Sequence, residues 1–243
     1  MRIDLEAILV HADRWLDVPD PARAHRDAWL AAGRTFLKLE TERLRIRHRL
    51  GAGGGEVTAA RSYAVDLLVR HAWQRAAPGA APEAEDCALV ALGGYGRGDL
   101  APGSDVDLLF LYPGRPDPAT ARQVEEALKL LWDVGLSVGH SFRSLGECVS
   151  MAREDLHSRT AMTDARLLWG SSVLFARLLR GLEGVYRKDR ETEAFIEATR
   201  LEPTTARLPT RPLSRSACVS CGWGWVPKSR SGCGRESGNC TPR

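Results

Sequence analysis

Leu92-Gly93-Gly94-Tyr95-Gly96-Arg97-Gly98-Asp99-Leu100-Ala101-Pro102-Gly103-Ser104-Asp105-Val106-Asp107-Leu108-Leu109-Phe110-Leu111 joins a glycine-rich turn to an apolar strand that opens with two carboxylates two residues apart. Side chains alternate faces along a strand, so Asp105 and Asp107 point the same way. Two carboxylates on one face suit Mg²⁺, a hard cation that takes oxygen ligands. Gly93 and Gly94 let backbone N–H groups come close to a phosphate. Arg97 offers a guanidinium whose fork matches phosphate oxygens, or else is a plain surface arginine. Ser104 either caps the turn or reaches a phosphate or a metal-bound water. An Asp inside an apolar strand needs a partner, which weighs against reading Asp105 and Asp107 as two idle solvated acids.

Working outward, Cys87 to Leu92 reads as a short strand buried on both faces, and Val106 to Tyr112 as a second. Residues 118–134 form an amphipathic helix, and Leu136 to Phe142 a third strand. Ser144-Leu145-Gly146-Glu147 has the capping-box pattern and opens a helix. Further helices are expected over roughly 155–168, 172–185 and 189–199. Upstream, residues 1–17 read as a helix on a loose spacing of Ile3, Leu5, Ile8, Leu9 and Trp15. Residues 21–50 and 57–76 read as longer helices separated by Gly51-Ala52-Gly53-Gly54-Gly55, because glycine gives up too much backbone entropy in a helix. The expected organisation is an N-terminal helical segment over 1–82, an α/β domain with following helices over 83–200, and a tail over 201–243.

With 44% apolar and 27% charged residues, the chain has the composition of a globular protein. Its formal charge of +3 is unevenly placed: the last 43 residues hold seven basic and two acidic side chains, so the body is slightly acidic. No nucleic-acid partner is expected from that balance. The start carries early acids and no apolar signal core, and no apolar run approaches the ~20 residues a spanning helix needs. Only Cys87 and Cys148 fall in the body, as suits a reducing cytoplasm. The tail shows no period and has four cysteines, five prolines and five glycines. Cys218-x₂-Cys221 has ligand spacing for zinc, but Cys233-x₆-Cys240 does not match it. A disordered basic tail is the expectation.

Gly93-Gly94, ten residues, then Asp105-Val106-Asp107 resembles the nucleotidyltransferase superfamily that includes DNA polymerase β. The fuller string from Gly93 to Leu109 resembles the N-terminal domain of the bacterial PII uridylyltransferase/uridylyl-removing enzymes. Leu131-Trp132-Asp133-Val134-Gly135-Leu136-Ser137-Val138-Gly139-His140-Ser141-Phe142-Arg143-Ser144-Leu145-Gly146-Glu147-Cys148 resembles that family's next block, and Ala161-Met162-Thr163-Asp164-Ala165-Arg166-Leu167-Leu168-Trp169-Gly170 the block after it. The resemblance covers about residues 25–200. It implies a polymerase-β-like domain with a small mixed sheet. It also implies transfer of UMP from UTP to a tyrosine hydroxyl of the PII nitrogen-signalling protein, with release of pyrophosphate. Mg²⁺ on Asp105 and Asp107 would bridge the triphosphate, and the Gly93-Gly94 backbone would hold its β- and γ-phosphates.

Superfamily sites commonly add a third carboxylate from a neighbouring strand. Leu136 to His140 offers none, and Asp133 and Asp164 are both candidates. His140 reads as structural. The alternatives are another nucleotidyltransferase, such as a relative of glutamine-synthetase adenylyltransferase, or a non-catalytic nucleotide-binding module. Fuller family members add a metal-dependent HD domain and two ACT domains, which do not fit in this length. Near Arg200 the resemblance stops, and the residues beyond it are the mixture that out-of-frame reading of GC-rich DNA yields. A truncated, frameshifted product is the expectation.

Overall fold

Leu92 leaves one buried strand and Val106 enters the next, and these two strands are the centre of a four-stranded sheet. The computed structural model describes residues 3–17, 23–76 and 87–188. In chain order the elements are α1 (Leu5–Leu16), α2 (Arg23–Arg49), α3 (Gly54–Ala76), β1 (Ala88–Ala91), α4 (Gly93–Gly96), β2 (Val106–Tyr112), α5 (Pro118–Val134), β3 (Val138–Ser144), α6 (Leu145–Glu154), α7 (Leu156–Thr163), β4 (Arg166–Gly170) and α8 (Ser172–Lys188). The spatial order is β3-β2-β1-β4. β1 runs antiparallel to both neighbours, while β2 and β3 are parallel and joined through α5. The mixed α/β architecture matches the expected fold class.

Alternation along β2 sorts its side chains between two apolar layers. Val106, Leu108 and Phe110 face a layer built from α1, α2, α3 and α5, with Trp29, Phe36, Leu68 and Leu131 at its heart. Trp73 of α3 lies against Phe110, ring centroids 5.6 Å apart. Leu109 and Leu111 face the other layer, where Cys148, Ala152, Leu174, Leu178 and Leu182 of α6 and α8 close over the sheet. Continuous apolar runs in β1 and β2 follow from this, since both faces are covered.

Local chemistry sets most boundaries. Asp117 caps α5 through the Ala119 N–H, and Pro118 sits at its first turn, where a missing N–H costs nothing. At the other end Gly135 takes φ +106°, and the Gly135 and Leu136 N–H groups donate to the Trp132 and Leu131 carbonyls. That cap uses up Leu136, so β3 begins at Val138 rather than at the expected Leu136. The capping box at α6 forms as read: the Glu147 N–H donates to Ser144 Oγ at 3.2 Å, and the Ser144 N–H to Glu147 Oε2 at 2.7 Å.

Three further expectations are corrected. The helix expected over roughly 155–168 ends at Thr163, and Arg166–Gly170 is strand β4. The reason is tertiary: β1 has a second edge, and β4 pairs with it through a register shift between Leu89 and Val90. In α1 the buried stripe is Ile8, Ala12 and Leu16, while Leu5 and Leu9 are exposed. The glycine run does separate α2 from α3, but Gly54 and Gly55 belong to the first turn of α3. The segments 77–86 and 189–243, with the expected linker, last helix and cysteine tail, lie outside the described residues.

Candidate active site

The glycine-rich turn is a single helical turn, α4, followed by a tight return. The Gly96 and Arg97 N–H groups donate to the carbonyls of Leu92 and Gly93, and the Asp99 N–H to Gly94 O at 2.9 Å. Gly93 has φ +55°, a conformation that L side chains rarely adopt. Gly96 has no room for a side chain: a Cβ there would run into the backbone carbonyl of Asp164 at the end of α7. Gly93 and Gly94, the expected phosphate-holding residues, therefore stand at the C-terminal end of β1, with the loop pressed against α7.

Side chains from far along the chain fix the underside of this loop. Arg166 of β4 donates from Nε to Gly96 O at 3.0 Å and from Nη2 to Tyr95 O at 3.1 Å. Its guanidinium also forks onto Asp66 of α3, at 2.7 and 3.1 Å, and lies 5.5 Å from the Tyr95 ring centre. Ser62, one turn before Asp66, accepts the buried Leu100 N–H at 3.0 Å. Tyr95 is fully buried, and burial beside Asp66 holds its phenol well above the ordinary range.

β2 leaves the loop through Asp105 and Asp107. Leu92 N–H donates to Asp107 O at 3.0 Å, which sets the Asp107 carboxylate directly beside Gly93. Asp107 pairs in register with Gly139 of β3. A Cβ built on Gly139 would stand 2.5 Å from Asp107 Oδ1, and one on Gly93 3.8 Å from Asp107 Oδ2. The carboxylate thus lies in a notch between two glycines. Both acids are exposed to solvent as residues, but the Asp107 carboxyl is pressed down over Gly139. Burial, then the charge of Asp105, pushes the Asp107 carboxyl up to about 6. Two neighbouring carboxylates on one strand face beside a glycine loop have the donor set of a divalent-cation site.

Other residues from the sequence reading fall into place around this pair. Arg97 is half exposed and forms an ion pair with Asp164, with its guanidinium near Gly94. Ser104 is exposed in the 101–104 turn, where its N–H donates to Ala101 O at 3.1 Å. Asp164 is brought to the loop, but its carboxylate is engaged by Arg97. Asp133 is not: it lies on α5, pairs with Arg26 of α2 at 3.1 Å, and belongs to the opposite layer. His140 pairs in register with Leu108, so it too lies on the far face, edge-on to Trp132. Burial lowers its pKa. Among the described residues no group of three His, Cys, Asp or Glu gathers as a metal site. Sequence reasoning missed Asp66, Arg166, Gly96 and Gly139. Partners 100 residues apart leave no local signal; the two glycines matter only once the neighbouring elements are in place.

Residues 81–168 match the nucleotidyltransferase domain family. The chain is 43% identical over 148 residues to a bifunctional uridylyltransferase/uridylyl-removing enzyme of Azospirillum brasilense, covering 59% of this chain and 15% of that protein. It is also 43% identical over 130 residues to the enzyme of the same description from Rhodospirillum rubrum, covering 51% of this chain and 14% of that protein. The chain therefore spans about a seventh of the length of these relatives. Among the described residues no helix is long and apolar enough to cross a membrane. The glycine loop and the carboxylate pair both fall within the segment that matches the nucleotidyltransferase domain family, and over about half its length the chain is similar to the bifunctional uridylyltransferase/uridylyl-removing enzymes.

Proposed function

We propose that the domain transfers UMP from UTP to a tyrosine hydroxyl of the PII signal protein, as its resemblance and its relatives suggest. The acceptor oxygen bonds to the α-phosphorus, the bond to the β-phosphate breaks, pyrophosphate leaves, and the phenolic proton is released. The observation that carries this reading is the Asp107 carboxylate seated beside Gly93, with Asp105 close enough to raise its pKa. Asp105 and Asp107 would hold Mg²⁺, which supplies neutralisation of the charge on the triphosphate. The Gly93-Gly94 backbone would hold the β- and γ-phosphates. Arg97, on the same loop, would exchange Asp164 for a phosphate oxygen. Catalysis of this kind is mostly positioning and electrostatics, so a rigid loop and two fixed carboxylates are its main requirement. A cytoplasmic setting fits the substrate.

The test is transfer of label from α-³²P-UTP to purified PII protein, with pyrophosphate measured alongside. Labelled PII is expected. Equal or better transfer from ATP to glutamine synthetase moves the assignment to the adenylyltransferase relatives. Binding of Mg-UTP without transfer to any acceptor makes the domain a nucleotide-binding module.

A further inference from the structure

We infer that Asp66 and Ser62 of α3 are positioning residues of the nucleotide loop, acting on it through Arg166 and Leu100. This inference rests on the nucleotide reading of the site but adds residues that lie outside the matched segment 81–168. The loop's own hydrogen bonds are short-range backbone bonds between residues 92 and 99. It is one helical turn and a return, and glycine occupies four of the six positions from 93 to 98. Such a segment spends little time in one conformation unless something outside it holds it.

α3 supplies that hold at both ends. At the first end, Arg166 gathers the Tyr95 and Gly96 carbonyls on the side of the loop away from Asp107, and the Asp66 carboxylate fixes the guanidinium from behind. Arg166 uses all three of its nitrogens in this arrangement, two of them on Asp66, so the fork cannot turn without breaking a charge-assisted bond. At the other end, Ser62 Oγ accepts the Leu100 N–H where the chain leaves the loop. Ser62 and Asp66 are four residues apart and so lie on one face of α3, both buried. Asp66 has a reason to be there: a buried carboxylate is costly unless paired, and its partner is the residue that grips the loop. Arg166 cannot be replaced by lysine in this role, because an ammonium has no fork to span two carbonyls and a carboxylate.

The experiment compares the full chain with Asp66→Asn, Arg166→Lys and Ser62→Ala. Two measurements are made on each: amide hydrogen exchange along the chain, and calorimetric affinity for UTP and UMP in magnesium chloride. Asp66→Asn and Arg166→Lys are expected to speed exchange at residues 96–100 by about tenfold, the size of one lost charge-assisted bond, with α5 amides unchanged. UTP affinity is expected to fall while UMP affinity holds, because a loosened loop forfeits only the β- and γ-phosphate contacts. Unchanged exchange in 96–100, or an equal loss of protection in α5, overturns the inference; the second outcome assigns Asp66 a merely structural role. If both charged-pair variants fail to fold by circular dichroism, Ser62→Ala decides: faster exchange at Leu100 alone supports the hold, and no change overturns it. Failure of the unaltered chain to bind Mg-UTP overturns the nucleotide reading, and the exchange measurement then decides the clamp by itself.

Discussion

At the scale of single residues, the Asp107 carboxylate sits in a conflict that is useful for binding a cation and unfavourable without one. Its folded-state pKa is raised from 3.8 to about 6. A raised acid binds its proton more tightly when folded, so the associated stability is present below 3.8 and lost as pH rises through about 6. Asp107→Asn should therefore raise the melting temperature at pH 8 without divalent cations, and leave it unchanged only below the unfolded value, at about pH 3. Solvent reaching this partly exposed side chain limits the gain to about 1 kcal/mol. Equal shifts at the two pH values would rule out the titration. The double change Asp105→Asn with Asp107→Asn should abolish Mg²⁺-dependent UTP binding in titration calorimetry while leaving the far-ultraviolet circular dichroism intact. Gly96→Ala drives a Cβ into the Asp164 carbonyl, which is backbone and cannot step aside. A loss of about 1–3 kcal/mol is expected, read as a lower denaturation midpoint with an unchanged slope.

At the scale of elements, the capping box of α6 was readable from four letters because its chemistry is local. Glu147 is held below the ordinary carboxylate range, first by the Ser144 N–H, then by the Ser144 hydroxyl, with help from the Tyr112 hydroxyl. A lowered acid contributes stability above its ordinary value of 4.5 and loses it as pH falls through the folded value. Ser144→Ala should cost about 1 kcal/mol at pH 7, and Glu147→Gln should flatten the acid limb of the pH–stability curve. An acid limb unchanged in Glu147→Gln would show that the carboxylate does not titrate in the cap. β4 was not readable in the same way. Arg-Leu-Leu-Trp-Gly carries no alternation, and only the unpaired edge of β1 makes it a strand. The stop of α5 at Gly135 is the intermediate case. The glycine was visible, but that its cap would consume Leu136 and delay β3 was not.

At the scale of the molecule, the helices upstream of the sheet are part of its core. Val65, Leu68 and Trp73 of α3 pack in one apolar layer with Leu108 and Phe110 of β2 and Leu128 and Leu131 of α5. Leu68, fully buried, should lose about 2–5 kcal/mol when truncated to alanine, measured by chemical denaturation. For the same reason a piece beginning at residue 81 would leave only α5 to cover one face of the sheet. It should show collapsed amide dispersion by nuclear magnetic resonance and no cooperative unfolding. A cooperative transition in that piece would mean that α1 to α3 are an appendage rather than a layer of the core.

Sequence alone determined the features that live within about twenty consecutive residues: the strand–turn–strand, the paired acids, the glycine at the turn, the helix caps and the family resemblance they carry. Each depends on backbone geometry or on neighbours close in the chain, so spacing is enough to read it. Tertiary structure alone decided which of Asp133 and Asp164 comes to the loop, that His140 faces away from it, and that Gly139 makes room for the Asp107 carboxylate. It also decided that Asp66 and Arg166 meet across 100 residues to hold the loop from beneath. These depend on strand register and on which helix covers which face, and both are set only when the whole apolar core closes at once.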